Sequence, residues 1–429
     1  MLEWEVKPLA ELADIRVSNV DKKSVSGELP VRLCNYMDVY AGRYLANSDR
    51  YMEATCTTRE LAAFGLRRFD VLITKDSESP DDIGIPALID DDVQELVCGY
   101  HLAVLRLRSD EIDPVVLLKQ LESERLRRYF GQRAGGSTRY GLSTRAIAQA
   151  PILVPPQEIQ RTIAAVHRSL DTQITHTEAL IAKQEQVRDG LTQDLFTRGV
   201  DETGRLRPPR EEAPALYHET ALGWLPKGWN VVELGRLASV ERGRFGARPR
   251  NDPRFYGGDI PFIQTSDVAG AHEGMIVTFS QTLNEKGVRT SRIFRDGSIM
   301  VSIAANIGDT SLLTFDACAP DSVVGVVPNK GISPIYLRSI IATRKRSLEA
   351  RAPQTAQRNI NLQDLRPLKL PTCDEGEQER IESLIGYYHD AVFYSRFQLA
   401  KLNYLRIALV RDLLTQPVAA AAEPRIAAE

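Results

Sequence analysis

The stretch from Pro155 to Arg198 has no proline after Pro156 and no glycine but Gly190. Ile159, Ile163, Val166, Leu170, Ile174, Ile181, Leu191 and Leu195 recur at steps of three, four or their sums, which places one apolar stripe on an otherwise polar helix. The proline pair opens it and Gly199 can end it. The stretch occurs twice: Gln160, Ile163, Ile174, Ala182-Lys183 and Asp194-Leu195 return as Gln378, Ile381, Val392, Ala400-Lys401 and Asp412-Leu413, so one offset survives along a second copy that starts near Glu377. At 1.5 Å per residue each copy is a rod of roughly 60 Å. Globular helices usually stop near about 20 residues. Two such rods with near-heptad stripes are therefore expected to pair as a coiled coil rather than to serve as ordinary core helices.

The repetition extends to what precedes each rod. Trp4-Glu5-Val6 with Leu9, Leu12 and Ala13 returns as Trp229-Asn230-Val231 with Leu234, Leu237 and Ala238. Leu29-Pro30-Val31, Asp38-Val39 and Ile83-Gly84 are echoed by Ile260-Pro261-Phe262, Asp267-Val268 and Ile307-Gly308. Short apolar or alternating runs (Val31 to Leu33, Asp70 to Ile73, Leu102 to Leu107), punctuated by Gly, Pro and Asp, predict strands of a mixed, β-rich domain. A helix is predicted over Pro114 to Tyr129, with a counterpart from Pro334 to Leu348. The expected order is a first domain over 1–152, a long helix over 153–198, and a linker over 199–228 too rich in Pro, Gly and charge to make a core. A second domain over 229–371, a second long helix over 372–416 and a disordered tail over 417–429 follow.

Other patterns exclude whole classes. No apolar run reaches the length of a membrane span and the N-terminus lacks the regions of a signal peptide, so a cytoplasmic protein with no membrane partner is expected. Five cysteines without a CxxC pair suit reduced thiols, and no structural metal is expected. The histidines show no HxxE or HEXXH spacing and no Ser sits in GxSxG; His167 and His176 are expected on the surface of the first long helix. A DNA-amine methyltransferase would show a Gly-rich cofactor loop and an (N/D)PP(Y/F) string. Asn251-Asp252-Pro253-Arg254 lacks the second proline and the aromatic residue, and reads as a turn. Asp81-Asp82 and Asp90-Asp91-Asp92 lack the lysine arrangement of a metal-dependent nuclease.

A net charge of −3 discourages a nucleic-acid partner only on average. Arg242, Arg244, Arg248 and Arg250 cluster around Gly243 and Gly246, while Arg133 and Arg139 flank Gly135-Gly136. Arginine pairs bidentately with phosphate or a guanine edge, so arginines in Gly-rich loops suit DNA; a solvated loop is the plain alternative. Asn and Gln pair with adenine, which adds Asn35 and, beside Arg139, Tyr140 in the first domain. In the second domain the candidates are Gln264, Thr265, Ser266, Asn306, Gln357, Arg358 and Asn359. Asn306 could instead belong to a turn, and Gln357 to Asn359 to the junction leading into the second helix.

The strings LGWLPKGWNVVELGRLA, PPQEIQRTIAAVHRSLDTQITHTEALIAKQEQVRDGLTQDLFTRG and TAQRNINLQDLRPLKLP resemble the specificity subunit of type I restriction-modification enzymes, over nearly the whole chain and in the same order. The resemblance implies an α/β (α+β) fold of two β-rich target recognition domains separated by two long antiparallel coiled-coil helices, an internal pseudo-twofold repeat. It implies no catalysis and no cofactor in this chain, with each domain reading one half of a split double-stranded DNA target. The helices would dock two methyltransferase subunits, which supply S-adenosylmethionine chemistry, and through them restriction and translocase subunits. Helix faces carrying Gln160, Arg161, Glu178, Lys183, Arg188, Arg396, Lys401 and Arg406 are expected to be free for them. Gly386, Tyr387, Tyr388 and Phe393 depart from the family pattern. The alternative is a coiled-coil scaffold with two protein-binding domains, which would lack salt-dependent DNA binding.

Overall fold

The structure is a computed structural model that describes residues 4–48, 50–352 and 359–414; the expected tail over 417–429 lies outside them. The chain groups into two compact units, one running to Glu178 and resuming at Gln398, the other comprising Ala179–Phe397. Each therefore holds one globular domain and a piece of both long helices.

In the first unit a five-stranded sheet runs in the order Ala13–Val17, Leu102–Leu107, Val71–Thr74, Pro86–Ile89, Tyr44–Leu45, and only the last pair is parallel. The second unit repeats it as Ala238–Arg242, Val323–Pro328, Ile299–Ser302, Thr310–Leu313, Met275–Ile276, again with only the last pair parallel. Because successive side chains of a strand point to opposite faces, Val71, Ile73 and Leu88 enter the core shared with helix Pro114–Glu122. Leu72, Ala87 and Ile89 enter a second core with Cys34 and Cys98. The first and last strands of each domain pair antiparallel, Glu5–Pro8 with Pro151–Val154 and Asn230–Glu233 with Lys369–Thr372. The chain thus leaves each domain directly into a long helix.

The helix expected over Pro114 to Tyr129 is two, Pro114–Glu122 and Glu124–Arg133. Ser123 adopts an extended conformation between them, and its Oγ accepts from Leu126 N at 3.4 Å to cap the second. Its counterpart divides likewise into Pro334–Ala342 and Lys345–Arg351.

The long helices span Gln157–Leu195 and Glu375–Leu414. In the second unit Glu185 pairs with Arg396 and Leu195 shares a core with Ile381 and Ile385, so the helices run in opposite directions. In the first unit Ile163 and Ala164 share a core with Val410. The repeated glutamine has a structural reason. Gln160 Nε2 donates to the carbonyls of Glu111 and Pro155 at 2.9 and 2.7 Å, and its Oε1 accepts from Asp113 N at 2.6 Å. Gln378 Nε2 donates to Cys373 O at 3.0 Å while its Oε1 accepts from Ser333 N at 3.2 Å. Asp113 and Ser333 are the N-caps of the domain helices, so each glutamine ties a long helix to its own domain. Gln160 is consequently buried, not part of a free face.

The stripe expected on the first long helix is also rotated. Ile159 and Val166 are 37% and 39% exposed, whereas Ala164, His167 and Asp171 are buried, because the first domain packs toward that side. His167 is therefore a core residue rather than a surface one, while His176 is exposed. Beside it lies a buried charge cluster: Asp171 accepts from Lys119 Nζ at 2.6 Å and from Tyr44 Oη at 2.8 Å, and the fully buried Lys119 also reaches Glu122 at 3.0 Å. Burial, and next the Lys119 cation, push His167 down to about 4. A histidine whose folded pKa lies below its unfolded value of about 6.5 binds protons better when unfolded, so stability falls as pH drops from about 6.5 through 4. Urea midpoints of a His167→Leu variant across that window are expected to show a flatter decline than the parent; an equal slope would refute this role. Asp171 acts in a lower window. Its burial would raise its carboxyl, but Lys119 holds it below the usual range, so its contribution is full above the ordinary carboxylate pKa of about 3.9 and is lost as pH falls from there through the depressed value.

The 199–228 segment, expected to lack a core, contributes to one. Tyr217–Thr220 and Gly223–Pro226 form a hairpin, and Val200 and Leu225 are buried with Trp229. Glu377, 2% exposed, accepts from Trp229 Nε1 at 3.0 Å, Val200 N at 2.8 Å and both Nη atoms of Arg207. This carboxylate anchors the segment to the second long helix.

Candidate nucleic-acid interface

In the second domain Arg250, Gln264, Thr265 and Ser266 line one concavity. Its aromatic wall comes from Phe245, Tyr256 and Phe262, whose ring centroids lie 4.9 to 6.2 Å apart. The neighbouring arginine loop is held by its own guanidiniums. Arg250 Nη2 lies 2.7 Å from the Asp321 carboxylate, and Arg242 Nε donates to the Asp321 carbonyl. Arg248 Nη1 donates to the carbonyls of Phe245 and Ala247 at 2.9 and 2.7 Å, and Arg244 Nη2 to Ser291 O at 3.4 Å. All four residues remain exposed. A guanidinium has five N–H donors, so each keeps donors for phosphate.

Asn306 and Asn359 form a separate group. Asn306 is exposed in a turn, its carbonyl accepting from Asp309 N at 3.4 Å, and Asn359 pairs through an isolated bridge with Ala304. Gln357 and Arg358 lie outside the described residues.

In the first domain Gly135 and Gly141 exchange backbone hydrogen bonds of 3.0 and 2.9 Å, closing a loop that carries exposed Arg139. Gly136 sits at φ +136°, and a Cβ there would come within 1.9 Å of Arg139 O, so only glycine fits. Tyr140-Gly141 then pairs with Asp76-Ser77. Asp76 accepts from Lys75 Nζ at 2.6 Å and lies 2.7 Å from His101 Nδ1. Burial opposes ionisation of Asp76, yet Lys75 and His101 hold its carboxyl below the usual range. His101 adopts a left-handed φ of +74°, with the Tyr100 ring edge-on at 4.0 Å. Arg133 instead stacks its guanidinium on Tyr129, 3.9 Å from the ring centroid.

Asn35 and Gln264 occupy matching places. Each precedes a short helix and donates its backbone N–H to the carboxylate three residues on, Asp38 or Asp267, at 2.7 Å. Sequence reasoning missed Gln281, which lines the same concavity as Gln264 from a segment 17 residues further on, with no spacing signal to join them.

Two topologically repeated domains, each presenting polar loops and each continuing into one of two antiparallel helices, define a tandem-domain, two-helix architecture. The family model for the type I restriction modification DNA specificity domain matches residues 1–186 and 226–391. The chain belongs to this family, as a type I restriction-modification specificity subunit with two DNA specificity domains. It is similar to a putative type I restriction enzyme MjaX specificity subunit of Methanocaldococcus jannaschii, 20% identical over 418 residues that cover 96% of this chain and 93% of that protein. The crystal structure of a type I restriction-modification S subunit from M. genitalium matches with a TM-score of 0.58 at 14% identity, covering 96% of both chains. A structure addressing complex assembly and conformational transition of the type I R-M system matches with a TM-score of 0.57 at 18% identity, covering 96% of this chain and 97% of that one. These two likenesses concern the fold.

Proposed function

We propose that each domain reads one block of a split double-stranded DNA target and that the long helices hold two methyltransferase subunits, through which restriction and translocase subunits join. The observation that carries this reading is the repeated topology, which sets a carboxamide, Asn35 or Gln264, at the same place in each domain. The chain recognises without catalysing, in the cytoplasm, and S-adenosylmethionine chemistry belongs to the partner. Among the described residues no helix is long and apolar enough to cross a membrane.

The second long helix supports the docking role. Tyr387, Tyr394, Phe397, Tyr404 and Ile407 are each at least 60% exposed, and large apolar side chains left in water mark interaction surfaces. Arg161, Glu178, Lys183 and Lys401 are exposed as expected. Arg188 and Arg396 are instead engaged with Glu273 at 3.4 and 3.6 Å, and Arg406 is partly buried. A mass measurement of the assembled complex should give two methyltransferase copies per chain; a single copy would overturn the stoichiometry.

DNA binding by that complex should weaken steeply with salt. Arg244→Ala should lower affinity about equally for all sequences and reduce the slope of log K against log salt by about 0.9, the value for one released phosphate contact. An unchanged slope would place Arg244 away from phosphate, and the absence of any salt dependence would favour a protein-binding scaffold.

A further inference from the structure

The concavity in the second domain holds a second carboxamide beside Gln264. Gln264 Nε2 donates to Gln281 Oε1 at 3.2 Å, and both residues line the same wall. The contact uses one amide oxygen and one N–H. It leaves an NH2 on Gln281 without a partner in that contact, while the Gln264 oxygen faces the Asp267 backbone N–H in a capping box that fixes the amide's orientation and keeps a second lone pair to offer.

The pair is held from below. The Asp267 carboxylate accepts from Gln264 N at 2.7 Å and from Ser280 N at 3.1 Å, so one side chain fixes the backbone at both glutamines' positions. Ser280 Oγ adds a bond to Asp267 at 3.2 Å, and Phe262 N donates to Gln281 O at 2.9 Å. Gln281 itself remains exposed. Two amides set side by side on a braced backbone lose little conformational freedom when they bind.

We propose that Gln264 and Gln281 act together as a specificity-determining pair that takes the major-groove edge of an adenine in the block read by the second domain. An adenine edge presents N7 as acceptor and the N6 amino group as donor, which complements one NH2 and one amide oxygen; guanine presents two acceptors at the corresponding positions. At the matching place in the first domain, no second carboxamide hydrogen-bonds to Asn35 among the described residues. Asn35 Nδ2 reaches only the Leu33 carbonyl, at 3.4 Å, among the hydrogen bonds of the described residues. The effect of the pair is therefore confined to one block.

This inference rests on the proposed reading of split DNA. The test expresses the whole complex, with its methyltransferase subunits, in a host lacking DNA methylation and maps methylated sites for the parent, Gln264→Glu and Gln281→Glu. The parent target should contain an adenine in the second-domain block, and the purified parent complex should prefer it about ten- to a hundredfold over duplexes substituted at that position. Each variant should lose most of that preference or change the base accepted there, while the first block persists and the urea midpoint stays unchanged. If the parent methylates no split sequence, the proposed reading itself fails. If the parent does so and both variants retain the same second block with the same discrimination, the glutamine pair alone is refuted. Simultaneous change of both blocks with an unchanged midpoint also refutes it.

Discussion

Glu377→Ala is expected to destabilise the second unit by about 3–5 kcal/mol, the usual consequence of removing one member of a buried ion pair. The carboxylate is 2% exposed and gathers Arg207, the Trp229 indole N–H and the Val200 backbone N–H. Truncation leaves all three donors without their acceptor in a site that water scarcely reaches. Glu377→Gln keeps the volume but loses the charge, and should cost less, about 1–3 kcal/mol. Urea unfolding followed by tryptophan fluorescence reads both variants. Gly199→Ala offers an independent check: Gly199 sits at φ +62°, and a Cβ there would come within 2.3 Å of Glu377 Oε1. A shift below about 1 kcal/mol for Glu377→Ala would mean that Arg207 finds another acceptor.

Exchange of residues 1–152 for the first domain of another family member with a different target should change one block of the recognised sequence and leave the other intact. Methylome sequencing of the exchange strain reads the result directly; if both blocks change, or the target proves continuous, the modular reading fails. The structure adds a condition. Asp171 and Arg168 lie outside the exchanged segment, but their partners Lys119, Tyr44 and Asp90 lie within it. A donor domain without a cation at position 119 would bury Asp171 with its principal counter-charge missing, and the chimera should fold poorly until residue 171 is exchanged as well. The gap between the blocks should follow the helices. A heptad inserted within residues 175–190, with a matching heptad in the partner helix, should widen or abolish the spacing without altering either block.

Much of the architecture is local and therefore legible in the chain. Helical periodicity in Ile163, Leu170, Ile174 and Ile181 depends on i, i+3 and i+4 spacing alone, and these residues are buried. The run Leu102–Leu107 is a strand over its whole length. The offset that aligns Gln160 with Gln378 needed no structure to detect. What it accomplishes, a helix tied to the N-cap of its own domain, needed Asp113 and Ser333 brought to it across the fold.

The sequence by itself determined the two long helices, the repeated domains and the basic, Gly-rich loops, because each is written in neighbouring residues. Tertiary structure alone decided which face of the first long helix is covered, and so why His167 is buried while Val166 is half exposed. It also decided that Val200 and Leu225 join a core, since an apolar residue in a polar, Pro-rich segment is buried only if another element presents a surface to it. The site divides the same way. Gln264 stands out in sequence beside Thr265 and Ser266, but Gln281 becomes its partner only through Asp267, which bonds both segments at once. Hydrogen bonds between residues distant in the chain leave no periodic trace, and sheet topology, not spacing, brings them together.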